Sequence, residues 1–177
     1  MQYQAWMPEN YVEALREGLK LVYTAFLKHN PKYLPELEIL TKKLQKWAQG
    51  NIPSALAPPS LALSISQLSI AVQNKIREGL LFSDKAVAEV RELFEGTEEL
   101  LGHFQDLLLT RNSVLRQYIL GKASEFEEKM RHFATEHEER LIKGICLPRS
   151  STVYLALLDA FKEVLWGLKE AASKMAP

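Results

Sequence analysis

Between Val87 and Leu108 the residues Val87, Val90, Phe94, Thr97, Leu101, Phe104 and Leu108 step 3-4-3-4-3-4 along the chain, and all but Thr97 are apolar. That spacing holds one side of an α-helix against a partner for about six turns. A strand cannot use it, because successive strand side chains alternate between two faces. A chain containing such a seam folds by packing helix against helix.

The same steps recur through most of the sequence, and period-two alternation is almost absent. Val12, Leu15, Leu19, Val22 and Phe26 form the row of a first helix that ends at 29-HNP-31, where Pro31 disfavours a helical Asn30. A second helix begins near Lys32, carries Leu37, Leu40, Leu44 and Trp47, and stops at Gly50, a natural C-terminal cap. The segment 51-NIPSALAPPS-60 holds three prolines and reads as a loop. A third helix runs from about Leu61 to Leu80 on Leu61, Ile65, Leu68, Val72 and Ile76, with a polar face rich in serine and glutamine and poor in charge. That face either contacts a partner or packs inside the fold.

Ser83 is the expected N-cap of the fourth, seam-bearing helix, with Asp84 at the positive end of its dipole. After 110-TRNS-113 a fifth helix runs to about Lys143, turning Leu115, Ile119, Phe126, Met130, Phe133 and Leu141 inward. The connector 144-GICLPRSS-151 leads to a sixth helix on Val153, Leu157, Phe161, Val164, Leu168 and Met175. Trp47, Trp166, Phe94 and Phe104 are expected in the core.

Helices one to three and four to six share their punctuation: a long helix, a short polar turn, a second helix closed by Gly, a Pro/Ser connector, then a third helix. The expectation is an all-α, antiparallel six-helix bundle in one domain over 1–177, built from two three-helix repeats at about 9–80 and 84–176.

Lys+Arg and Asp+Glu are both 22, so the net charge of +0 supplies no field to draw the chain onto nucleic acid or an anionic membrane. The single cysteine, Cys146, cannot form an intramolecular disulfide, which fits a reducing cytosol. The start, MQYQAWMPENYVEALRE, lacks the pattern of a signal peptide, and no stretch reaches the ~18 apolar residues of a spanning helix. No direct membrane insertion is expected.

The stretch 136-EHEERLIKG-144 nearly spells the zinc motif H-E-x-x-H, but the second histidine position is Leu141. None of the four histidines completes a Glu-x-x-His pair either. Glu125–Lys129, Glu127–Arg131, Glu136–Arg140 and Glu139–Lys143 instead read as i,i+4 pairs on a solvated face, each stabilising the helix by roughly 0.2–0.5 kcal/mol. His137 falls on the apolar row between Phe133 and Leu141, as a partly buried, hydrogen-bonded residue near the helix end. No phosphate loop, nucleophile elbow or base for Cys146 is evident, so no catalytic residue and no cofactor is nominated.

The passage 137-HEERLIKGICLPRSSTVYLALLDAFKEVL-165 resembles the end of PhoU-like domains, closest to those attached to bacterial type II sodium/phosphate cotransporters. Those domains read H-I-E-R-L, a Gly-Cys connector with a Ser pair, then an apolar L-D-L-L segment. His137, Glu139, Arg140, Leu141, Gly144, Cys146, Ser150, Ser151, Leu155, Leu157 and Leu158 match without a gap. In addition, 36-ELEILTKKLQKW-47 resembles the family's E-x-x-I/L-x-x-L helix, and 81-LFSDKAVAEVREL-93 the start of its second repeat.

The resemblance implies two three-helix repeats and a non-catalytic regulatory or accessory role in sodium-dependent phosphate transport. The place it implies is the cytosolic face of the inner membrane, and the partner a membrane transporter domain in the same chain or a separate one. Paired bundles often bury spare apolar surface between protomers, so a homodimer is a candidate assembly. The chain departs from the family at its acidic E-x-x-x-D metal motifs: the equivalent positions are Lys162 and Trp166 in the second repeat, and Ser66 and Ile70 in the first. A lysine and an indole cannot replace metal-binding carboxylates. The alternatives are a metal-binding bundle using unrecognised carboxylates, or a structural interaction bundle unrelated to phosphate.

Overall fold

The structure, a computed structural model, describes residues 8–50 and 58–175. Most of the proline-rich connector, residues 51–57, lies outside the described residues. The described residues form six α-helices and no strand: α1 (Pro8–Lys28), α2 (Leu34–Gln49), α3 (Pro59–Arg77), α4 (Asp84–Thr110), α5 (Ser113–Ile142) and α6 (Pro148–Lys174), with a short 3-10 turn at Pro31–Tyr33.

Local chemistry sets the boundaries. The Ser83 hydroxyl accepts from Ala86 N, as its N-cap position requires, and the Asn112 side chain accepts from Val114 N and Leu115 N to start α5. Proline occupies the first turn of α2, α3 and α6, where a missing N–H costs nothing. α3 stops at Arg77, three residues short of the sequence-based boundary, because Gly79 turns left-handed at φ +61. Gly144 does the same after α5 at φ +71. Gly50 behaves differently: α2 ends beside it, but its backbone is extended (φ −81, ψ 156) and it closes no left-handed cap.

Which helices touch defines the layers. α3 packs on α2, α6 and α1, while α6 packs on α3, α5 and α4; α1 and α4 pack on each other. One layer therefore runs α2, α3, α6, α5, and the α1–α4 pair covers one side of it. Ser60 and Leu61 meet Gly167, whereas Glu78 meets Arg149, so α3 and α6 run in opposite directions. A Cβ added at Gly167 would lie 3.0 Å from Leu61 Cδ2, so the glycine lets the Leu61 side chain seat directly on the α6 backbone.

The core lies between the layers. Val12, Leu15, Leu19, Val22 and Phe26 of α1 face Val90, Phe94, Leu101 and Phe104 of α4, and all nine are buried. Each such side chain contributes about 1.5–3 kcal/mol of hydrophobic stabilisation. Phe94 anchors the centre, stacking on Tyr23 with centroids 4.9 Å apart and meeting Phe161 edge-on at 4.8 Å. Val87, at the open end of the α4 seam, is half-buried.

The serine face of α3 is interior. Ser64, Ser66, Ser69 and Gln73 are buried, and the Thr41 hydroxyl of α2 donates to Ser69 Oγ (2.8 Å) while Gln73 Nε2 donates to Thr41 Oγ1 (2.9 Å). The low charge of this face reflects packing against α2, so it is no contact surface for a partner. No helix among the described residues is long and apolar enough to cross a membrane.

Candidate functional site

The polar centre of the molecule lies where α4, α5 and α6 meet. Glu89 of α4 is 2% exposed, and its two carboxylate oxygens accept from Arg140 Nη1 at 2.9 Å and Nη2 at 2.7 Å. The Tyr154 hydroxyl of α6 donates to Glu89 Oε2 at 2.5 Å. One buried carboxylate thus ties the ends of three helices. Burial opposes the charge on Arg140, but the hydrogen bonds and charge of Glu89 outweigh it and raise the guanidinium pKa above its ordinary value. Burial raises the Tyr154 pKa, reinforced by its bond to Glu89.

This arrangement corrects the surface pairing expected on α5. Arg140 bonds Glu89 across 51 positions, while Glu136 approaches Lys85 at 3.6 Å and His132 at 3.4 Å. Glu127 turns to Lys169 of α6 at 2.8 Å, and Arg131 pairs with Glu128. The pairs Glu125–Lys129 and Glu139–Lys143 do form, each at 3.9 Å, although Lys129 also reaches Glu92 of α4 more closely. An i,i+4 pair is worth a few tenths of a kcal/mol on a wet helix, so it yields wherever one member can reach a neighbouring helix.

His137 is 3% exposed, and its ring stacks on Tyr154 with centroids 4.3 Å apart. Nε2 lies 2.9 Å from Ser151 Oγ, and that hydroxyl donates onward to Leu147 O at 3.3 Å. Nδ1 is buried with no hydrogen-bond partner. Burial, then the charge of Arg140, lowers the His137 pKa and keeps the ring neutral at pH 7. His137 and its neighbours therefore fulfil the reading of a buried, hydrogen-bonded residue on the inner row.

Beside His137 is a cavity of about 180 Å³ between the α3–α4 and α5–α6 connections, walled by Phe82, Ser83, Ala86, Cys146, Ser150 and Tyr154 among others. Cys146 is buried, and its Sγ lies 4.0 Å from Ser83 Oγ. The α5–α6 connection is fixed by backbone bonds from Ile145 N (2.9 Å) and Cys146 N (3.3 Å) to Arg140 O.

The positions that the sequence resemblance sets against acidic metal motifs lie on α3 and α6. Ser66 is fully buried, donating to Leu63 O, while Ile70 is 38% exposed. Lys162 is exposed and approaches Asp159 at 3.8 Å. Trp166 is 53% exposed, contrary to the expectation of a core residue, because α6 buries the arc through Phe161, Val164, Leu165 and Leu168. Trp47 is half-buried, and Phe94 and Phe104 are fully buried as expected. Among the described residues no group of three or more His, Cys, Asp or Glu side chains is placed to hold a metal ion.

With α1 and α4 on one side and α2 and α5 flanking, both α3 and α6 present their free sides in the same direction. That open face carries Leu63 and Ile70 from α3, and Leu155 and Trp166 from α6, all at least 38% exposed. No family model, curated protein or solved structure matches the chain.

Glu89 and Tyr154 escaped the sequence reading. Glu89 sits in the arc of Ala86, Val90 and Leu93, and an acid inside an apolar arc was the available signal. Tyr154 sits next to Val153 on the α6 seam and gave none.

Proposed function

We propose that this chain is a PhoU-like, non-catalytic regulatory domain of sodium-dependent phosphate transport, working by protein contact at the cytosolic face of the inner membrane. Its fold is read as an antiparallel bundle of two three-helix repeats. Supporting that reading, the pairs α2–α3 and α5–α6, and α1–α3 and α4–α6, exchange with one another when helices one to three are swapped for four to six, while α1–α4 and α3–α6 map onto themselves. The matched passage from His137 to Leu158 supports the family reading, and its His137, Arg140 and Ser151 are among the residues that tie α5 to α4 and α6.

The observation carrying the functional reading is the open α3–α6 face. A face that exposes Leu63, Ile70, Leu155 and Trp166, with Asp159 and Lys162 standing between the two α6 residues, mixes apolar and charged groups as a protein contact surface does. The partner is a membrane transporter domain, in the same chain or a separate one. The test is Ile70→Glu with Trp166→Glu: both side chains are exposed, so the fold persists by circular dichroism. Co-purification with the transporter domain is lost, and sodium-dependent phosphate uptake changes as it does on deletion of the bundle. Unchanged uptake on deletion, with no transporter subunit recovered, overturns the proposal.

A further inference from the structure

The corner where α1 ends against α3 takes no part in the α3–α6 face. His29 closes α1 with its backbone in the left-handed region at φ +48, and its N–H donates to Ala25 O at 2.9 Å. That cap position usually takes glycine, because a side chain makes the conformation costly. The imidazole is half-buried, and its Nδ1 lies 3.0 Å from Nζ of Lys75, in the last turn of α3. Lys75 is 4% exposed, and His29 is its one hydrogen-bond partner among the described residues. Its Nζ also stands over the rings of Phe26 and Phe82, at 5.1 and 5.2 Å. Burial lowers the Lys75 pKa to about 8, so the amine is still an ammonium at pH 7. An ammonium can only donate, which makes Nδ1 the acceptor and leaves the ring neutral with its proton on Nε2.

We infer that His29 and Lys75 form a pH-sensitive latch: neutral His29 holds the last turn of α1 to α3, and a solvent proton taken up at Nδ1 opens it. The proton fills the lone pair that the ammonium uses, so an accepted hydrogen bond becomes a repulsion between two cations. No nearby group offsets the added charge. Lys75 is the charge that acts on His29, and no carboxylate pairs with the imidazole among the described residues. The acids on the surrounding elements are engaged elsewhere: Glu38 of α2 with Arg77, Glu78 after α3 with Arg149, and Glu95 of α4 with Tyr23 and Arg91. Asp84 sits in the first turn of α4, answering that helix's dipole, and Lys28 and Lys32 beside His29 add only positive charge. The left-handed backbone favours release in the same direction, since letting go relieves it. Burial and then the charge of Lys75 hold the His29 pKa below its ordinary 6.5. A group whose folded pKa is depressed contributes stability that is complete above the ordinary value and is lost as pH falls below it, so the latch opens on the acid side of 6.5.

Hydrogen-exchange protection of the amides in the last turn of α1, measured on the full chain and corrected for the intrinsic rate at each pH, reads the latch. From pH 7 to pH 5 it is expected to fall about tenfold in the wild type, the value of one net hydrogen bond. His29→Gln keeps a neutral acceptor that does not titrate, and its protection is expected to stay level. His29→Arg carries a permanent cation and should be as poorly protected at pH 7 as the wild type is at pH 5. In Lys75→Met the donor is gone, and the pH dependence should go with it. Independently of any variant, nitrogen-15 spectra should show the His29 imidazole as the Nε2–H tautomer at pH 7 and titrating below 6.5. Level protection in the wild type, the same acid loss in His29→Gln, or an imidazole titrating at or above 6.5 would each overturn the latch.

Discussion

Lys75 and Arg140 occupy the same local position in two helices, and the fold treats them in opposite ways. Each sits one turn before a left-handed glycine, Gly79 after α3 and Gly144 after α5. In each, the backbone two residues past the cap returns to the cation's own carbonyl: Leu80 N to Lys75 O and Ile145 N to Arg140 O, both 2.9 Å. The negative end of the helix dipole favours a cation at both places. Arg140, however, meets the Glu89 carboxylate, whereas Lys75 Nζ meets His29 Nδ1 at 3.0 Å and the rings of Phe26 and Phe82 at 5.1 and 5.2 Å. Pairing makes the Arg140 charge permanent. Aromatic faces and an imidazole leave the Lys75 charge conditional, and burial lowers its pKa to about 8.

The largest effect should come from unbalancing the paired site. Glu89→Gln strands a buried guanidinium and is expected to cost ~3–5 kcal/mol in urea unfolding. The triple change Glu89→Leu, Arg140→Met, Tyr154→Phe removes the charges together and should cost less than the single change. A loss below ~1 kcal/mol for Glu89→Gln would mean the tie contributes little.

Next comes the conditional site. The folded pKa of Lys75 lies below its ordinary 10.5, so the penalty for burying the ammonium is fully present below pH 8 and fades as pH rises toward 10.5. Stability should therefore increase between pH 8 and 10, on the order of 2 kcal/mol. Burial pushes Tyr11 up to about 12 and Tyr154 higher still, so their opposing contribution belongs above that window. Urea midpoints across the range should climb in the wild type and stay flat in Lys75→Met, which should also equal or exceed wild-type stability at pH 7. Parallel curves for the two proteins would remove Lys75 as the cause.

The smallest effect sharpens the contrast by moving the charge outward by two residues. Arg77 Nη2 donates to Glu38 Oε1 at 2.5 Å, and both side chains are nearly half exposed. Arg77→Ala should cost less than ~1 kcal/mol and lose its salt-sensitive part in 1 M NaCl. A cost comparable to Glu89→Gln would show that burial is not what separates the sites.

Helices were legible because each seam repeats a local rule many times, so a single irregular residue such as Thr97 does not hide it. The buried charges were not legible. Arg140 has a glutamate four residues earlier, and nothing local shows that α4 brings a better one. Glu89 resembles the other surface acids of its helix until α5 and α6 enclose it. Trp166 was misplaced because an aromatic among seam residues looks buried, yet it lies two residues past Val164 and so faces away from the core. The contact of His137 with Ser151, fourteen residues away in the chain, becomes readable only once α6 is set against α5.

Gly167 bears on the outer surface as much as on the core. By letting Leu61 approach so closely, it fixes how far α3 slides along α6, and with it which exposed residues stand abreast. A side chain there would push the helices apart or out of step, separating Leu63 from the Trp166 turn. The relief of the outer face is thus governed by a residue that contributes no atoms to it.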